Sequence, residues 1–167
     1  YCLYAGLVTD TGSFRWGTPR MHVFAAELME YGLNTRQIAL DLMDTMGPVD
    51  LQLMGEVLAK TQIVPTKRLS VAVLTIPVGI HSRMSQTAVE SIIDYSRSLE
   101  GTDVGVVLKE QAPKYWAMSL RSVVVDVSAV AQQLGGGGHW AAAGYSATGT
   151  RNEVIRQLLD AFPEPDD

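Results

Sequence analysis

At 167 residues, 47% apolar and 19% charged, the chain can form one ordinary domain or two small ones around a buried core, which excludes wholesale disorder. Its 18 acidic and 13 basic side chains leave a formal charge of −5; that balance argues against gripping long nucleic acid through the whole molecule's field, since such binding lives on phosphate neutralisation, and leaves room for a local basic pocket. Cys2 is the only cysteine, so internal disulfides and most zinc frameworks are excluded and a reducing cytoplasm is expected, while no apolar run nears the roughly 18 residues of a membrane span.

The chain opens inside an apolar stretch, Leu3 to Val8, without an initiator Met, and reads as a piece of a longer protein. Its first 60 or so residues read as helical. Thr18 before Pro19 is a helix start, with Met21, Phe24, Leu28 and Tyr31 as its apolar face and Gly32 as its stop. Asn34 and Gln37 form a capping pair for a helix carrying Ile38, Leu42 and Met46, which Gly47-Pro48 breaks. A third face is Leu51, Met54 and Leu58, its Met read as core filler.

Pro65 to Arg68 reads as a hinge, after which the pattern changes. Leu69 to Ile76 is a buried strand ended by Pro77, and Ala88, Ile92, Tyr95 and Leu99 mark a helix face ended by Gly101. Val104 to Lys109 and Tyr115 to Arg121 are strands joined through Gln111 to Lys114. Asp126 to Leu134 is a short helix. Thr150 with Glu153 is a capping box for a last helix bearing Val154, Leu158 and Phe162, closed by Pro163 before an acidic tail. The organisation is therefore α/β: a helical part over 1–64, a mixed α/β domain over 68–162 and a solvated tail over 163–167.

Three segments carry chemistry. Gly135-Gly136-Gly137-Gly138-His139 precedes Trp140 and an Ala-rich stretch that suits a short helix or tight turn. A glycine loop feeding a helix start is a ready phosphate cradle; the alternative is a flexible linker. Asp10, between Thr9 and Thr11, presents a carboxylate at the end of an element, where hard-metal ligands and general bases sit; a turn-capping Asp is the alternative. Arg121 ends an alternating strand and can read phosphate through its planar fork, or be a surface charge. His22 and His81 have no partners at metal spacing, and Tyr115, Trp116, Trp140 and Tyr145 serve either base stacking or core packing.

Taken together, Thr9-Asp10-Thr11-Gly12-x-Phe14-Arg15, Ser119-Leu120-Arg121-Ser122 and Gly135-Gly136-Gly137-Gly138-His139-x-x-Ala142-Ala143-Gly144 resemble the DHH phosphoesterase family. The resemblance is closest to the bacterial branch that degrades nanoRNA and dephosphorylates pAp, some members of which cleave cyclic di-AMP or pApA. It implies the helical end of a DHH catalytic domain followed by a small mixed-sheet, DHH-associated substrate-binding domain. It further implies two Mn²⁺ ions, one of them held by Asp10, with a bridging hydroxide for in-line attack. His139 and Gly136, Gly137 and Gly138 would hold substrate phosphate across the interdomain cleft, His139 also serving catalysis. Arg121, Ser122 and Arg15 would complete the substrate side.

The chain departs from that pattern in having no Asp-His-His; its histidines are His22, His81 and His139. The implied parent is a cytoplasmic Mn²⁺-dependent phosphodiesterase and monophosphatase acting on a nucleotide or short oligonucleotide, with homodimerisation open. These residues alone are expected to be inactive. Competing readings are a non-catalytic nucleotide-binding module, an appended domain like that of alanyl-tRNA synthetase, and a RecJ-like single-strand exonuclease, the last weakened by the acidic balance.

Overall fold

The structure is a computed structural model that describes residues 1–43 and 45–162; Pro163 and the acidic tail lie outside the described residues. The chain divides into two compact units, Tyr1–Met46 and Gly47–Asp167.

The first unit contains α1 (Cys2–Asp10), α2 (Arg20–Met29) and α3 (Thr35–Leu42). Tyr4, Val8, Ala25 and Ile38 form its small core, flanked by Leu7, Phe14, Leu28 and Leu42. Asn34 caps α3 by accepting from the Gln37 amide. The Gln37 side chain, however, donates forward to Asp41, so the cap is single rather than reciprocal. The face expected on α2 is not the buried one. Ala25 is buried, Phe24 is 42% exposed, and Tyr31 lies beyond the helix and is 84% exposed, because a small side chain is what lets α2 close on its neighbour.

The second unit is a six-stranded sheet with helices on both faces. Along the chain come α4 (Pro48–Leu58), β1 (Gln62–Pro65), β2 (Ser70–Ile76), α5 (Val78–His81), α6 (Gln86–Ser96), β3 (Val104–Ala112), β4 (Tyr115–Ser122), α7 (Val127–Gln133), β5 (Gly137–His139), β6 (Ala142–Thr148) and α8 (Arg151–Asp160). The strand order is β1-β2-β3-β4-β6-β5. Only β2 and β3 run parallel, joined by the crossover that carries α5 and α6; the other neighbours are antiparallel.

Burial explains the strand sequences. β2 and much of β3 are covered on both faces, hence their unbroken apolar runs. On one face Val73, Val106, Leu108 and Leu120 pack with Val130 of α7 and Leu158 of α8. On the other, Leu74, Ile76 and Val107 pack with Leu53 and Val57 of α4 and Ile92 of α6. β4 instead alternates: Trp116, Met118 and Leu120 are buried, while Ala117, Ser119 and Arg121 are half-buried. That alternation marks a sheet covered on one face only at this edge.

Several expectations shift accordingly. α4 belongs with the sheet unit and buries Leu53, Met54 and Val57, leaving Leu51 63% exposed. Helix α6 likewise turns Val89 and Ile93 inward and Tyr95 outward. Pro65 to Arg68 is the turn of the β1–β2 hairpin rather than a hinge: Thr66 N–H donates to the Leu69 carbonyl at 2.7 Å, and Leu69 N–H donates to Thr66 Oγ1 at 2.9 Å. The expected capping box is present, with Thr150 and Glu153 each closing on the other's backbone.

Candidate functional site: the open sheet face

Ladder register places the site. Gly105 pairs with Arg121, Arg121 with Ala142, and Ala142 with His139. Directly paired residues share a face, so Arg121 and His139 stand on the same side of the sheet, roughly 10 Å apart across two strand spacings. The next row is Val107, Ser119, Gly144 and Gly137. Between the cation and the imidazole the floor is therefore Ala142, Gly144 and Gly137, side chains too small to obstruct an incoming ligand. This face is polar and half open, whereas the reverse face of the same strands carries the core.

The glycine run works differently from the expected cradle. It follows a helix rather than feeding one. Gly135, with φ +82°, ends α7; its N–H donates to the Gln132 carbonyl at 3.0 Å and that of Gly136 to the Ala131 carbonyl at 2.8 Å, the paired bonds of a Schellman stop. The run then becomes the edge strand β5, and the Ala-rich stretch becomes β6 rather than a helix or turn. Gly136 and Gly138 lack side chains because β6 lies against them: a Cβ on either would meet the backbone of Gly144–Tyr145 or Ala142–Ala143. Above Gly137 nothing lies within 4 Å. Of the three candidate glycines, it is the one facing open space beside Gly144.

Arg121 projects from β4, one guanidinium nitrogen donating to the Leu120 carbonyl at 3.0 Å. Burial lowers its pKa, Asp94 opposes that shift and Arg97 adds to it; it nonetheless stays cationic. Ser122, expected on the substrate side, leaves the site. It is buried, its hydroxyl donates to the Asp103 carbonyl at 2.8 Å and accepts from the Val124 and Val125 amides, so it anchors the chain after β4. Trp116 and Tyr145 are core residues on the reverse face, while Tyr115 and Trp140 are exposed.

Asp10 and Arg15 belong to the first unit. Asp10 is the exposed last residue of α1, and its carboxylate makes no hydrogen bond among the described residues. The turn beyond it is held by Thr11, whose hydroxyl donates to the Leu7 carbonyl at 2.7 Å and accepts from Phe14 N–H at 3.0 Å. The capping role considered for Asp10 thus falls to its neighbour, and its carboxylate is left unused. Gly12, Ser13 and Phe14 are all left-handed, with φ of +54°, +59° and +64°, a strained run of the kind found at functional sites. Arg15 Nε donates to the Gly12 carbonyl at 2.7 Å and its guanidinium lies 5.5 Å from the Trp16 ring centre, so it fastens this turn. No three His, Cys, Asp or Glu side chains converge among the described residues. The described residues therefore do not compose the two-ion centre that the resemblance implies.

Sequence reasoning missed Lys109 and Ser119, which share the open face with Arg121. The signal was present in the polar side of the β4 alternation and in Lys109, the first charged residue after the apolar run 104–108 of β3.

Residues 68–164 match the DHHA1 domain family. The bifunctional oligoribonuclease and PAP phosphatase NrnA of Thermus thermophilus is 31% identical over 163 residues, covering 95% of this chain and 48% of that protein. The A-adding tRNA nucleotidyltransferase of Aquifex aeolicus is 27% identical over 160 residues, 94% of this chain and 19% of that protein. The crystal structure of an exopolyphosphatase-related protein from Bacteroides fragilis superimposes with a TM-score of 0.84 at 25% identity, over 96% of this chain and 48% of that one. The chain thus spans about half the length of the Thermus and Bacteroides proteins and a smaller share of the Aquifex enzyme. No helix among the described residues is long and apolar enough to cross a membrane. The family match takes in more than half the chain and runs from just before β2 through α8, the part of the molecule that builds the open face: the chain belongs to the DHHA1 domain family.

Proposed function

We propose that this chain is the substrate-binding half of a phosphoesterase acting on pAp or short oligoribonucleotides, and that its sheet unit seats the substrate's phosphate between Arg121 and His139. The observation that carries this reading is the cross-strand row Arg121–Ala142–His139 over a floor of small residues. Arg121 offers a planar pair of donors to two phosphate oxygens, His139 offers a donor from the far side, and Gly137 leaves room for close approach. The name of the Thermus relative supports the substrate class. Two Mn²⁺ ions would supply the attacking hydroxide in the complete enzyme, Asp10 contributing one ligand. Since the rest of that ligand set is not among these residues, the chain binds substrate and does not turn it over.

The test is calorimetric titration of the purified chain with adenosine 3′,5′-bisphosphate, alongside a phosphate-release assay in Mn²⁺. Saturable binding is expected, weakened roughly tenfold or more by Arg121→Ala, in line with losing a charge-assisted hydrogen bond, with no phosphate released. Unaltered affinity in both Arg121→Ala and His139→Ala would remove the site. The Aquifex relative favours a second reading, a nucleotide-binding module without hydrolysis, because there the similar region is a minor part of an enzyme named for nucleotide addition. That reading gives the same titration but no phosphate release from the longer parent protein.

A further inference from the structure

Beside the open face lies a cleft of about 380 Å³ between α6 and the sheet, walled by Glu90 and Asp94 on the helix and by Lys109, Ser119 and Arg121 on the strands. A second hollow of about 410 Å³ runs on from Lys109 toward His81 and Gln111, sharing Val89, Glu90 and Lys109 with the first. Lys109 therefore lines both hollows, which adjoin at it to make a channel. It is half-buried, yet among the described residues its ammonium forms no hydrogen bond or ion pair. A cation that loses water without gaining a partner is costly to the fold, and here the shortfall faces the groove rather than the core. Burial lowers the Lys109 pKa, Glu90 opposes that shift and Arg121 adds to it.

The walls differ in sign. Glu90 accepts from the Gln86 side chain at 2.9 Å and Asp94 faces Arg97 at 3.5 Å, so the helix side presents carboxylates and the sheet side presents cations. Phosphates are repelled by the first and held by the second, while ribose hydroxyls and base amino groups can donate to the helix. Arg121 lies opposite Gly105, four residues from Lys109 on β3, so their backbones stand roughly 13 Å apart along the strand while both side chains reach into the same cleft. That backbone separation exceeds the rise of about 3.4 Å per nucleotide in a stacked strand, so the two cations are rooted at different points along a bound strand.

Building on the phosphate seat proposed above, we infer that this channel takes the following nucleotides of a short single-stranded oligonucleotide, with Lys109 ligating a phosphate that a mononucleotide held at Arg121 does not reach. Lys109 thereby discriminates by chain length, favouring an oligonucleotide over a nucleoside bisphosphate at the same seat.

The test titrates the full chain with a five-residue oligoadenylate and, separately, with adenosine 3′,5′-bisphosphate, at several salt concentrations. Lys109→Gln should weaken the five-mer roughly tenfold and make its plot of log affinity against log salt shallower by about 0.7, the share of one single-strand phosphate contact. Binding of the bisphosphate should not change, and Lys109→Arg should restore the five-mer. Arg121→Ala should weaken both ligands. Equal effects of Lys109→Gln on the two ligands, or none on either, overturn the channel while leaving the phosphate seat intact. A wild-type chain that binds neither ligand overturns the seat and the channel together. Coincident thermal unfolding of wild type and Lys109→Gln checks that any loss is local.

Discussion

Gly137 and Gly138 are neighbours in one edge strand and carry opposite constraints. Gly138 has φ +147° and the backbone of Ala142 and Ala143 where a side chain would be, so Gly138→Ala combines backbone strain with a clash and should cost about 1–3 kcal/mol of stability. Gly137 meets nothing. Gly137→Val should leave the unfolding midpoint nearly unchanged while weakening adenosine bisphosphate at least tenfold, as expected when close backbone approach is blocked. Denaturant titration and calorimetry on the two variants separate the roles, and a Gly137→Val protein that binds normally would show that the ligand does not cross this floor. A run of identical residues thus contains a helix stop, two packing contacts and one position with room for a side chain, and only coordinates distinguish them.

Helices declare themselves in this sequence through their ends more reliably than through their faces. The Thr150–Glu153 box and the Asp126 cap form as the residue types dictate. The faces of α4 and α6 are turned from the simplest periodic reading, because a helix lying on a sheet buries adjacent positions such as Val89 with Ala88 and Ile93 with Ile92, and that of α2 is turned because it closes on other helices through Ala25. Among strands, β2, β3 and β4 are legible from β-branched runs and alternation. The β5–β6 hairpin is not, since glycine and alanine carry no strand preference and what holds them extended is pairing with β4, which local pattern does not encode. The site was legible to the same degree: Arg121 and His139 could be chosen from their types, whereas their common row, the burial of Ser122 and the arrival of Lys109 beside them depend on register. The capping box also gives a pH signature. Hydrogen bonds from the Thr150 backbone and side chain hold the Glu153 carboxyl below its ordinary range; its contribution is therefore complete above the unfolded-state value of about 4.3 and fades as pH falls through the lower folded value. Thr150→Ala should cost about 1 kcal/mol at pH 7, and the gap between the two unfolding curves should narrow in acid. A gap that stays constant to pH 3 would remove the carboxylate from the account.

At the scale of the whole chain, each hydrophobic cluster lies within one unit. Two flank the sheet between Leu53 and Phe162, and the third lies among Tyr4, Val8, Ala25 and Ile38. The two units differ greatly in how much they bury. Residues 47–162 made alone should unfold cooperatively and retain binding that depends on Arg121. Residues 1–46 made alone, with four core side chains and a size at which cores are marginal, should show little protection in hydrogen exchange. Protection in the short piece comparable to the long one would contradict this ledger of burial. A net charge of −5 sits with local cations on one face, so long polyanions meet a repelling surface around a small attractive patch.

The two residues between β5 and β6 also matter. Neither Trp140 nor Ala141 is left-handed; their carbonyls accept from Val127 N–H at 3.0 Å and Ser122 N–H at 3.2 Å, which moors the bend to both α7 and β4. Side chains alternate along a strand, so sliding β5 by a single step would carry the imidazole of His139 through to the side where α7 packs and bring a bare glycine up in its place. Lengthening that bend by one residue would therefore take His139 off the face it shares with Arg121 while both residues remain in the sequence. The moored bend acts as an escapement: it lies outside the proposed phosphate seat, yet it sets which tooth of the strand is presented.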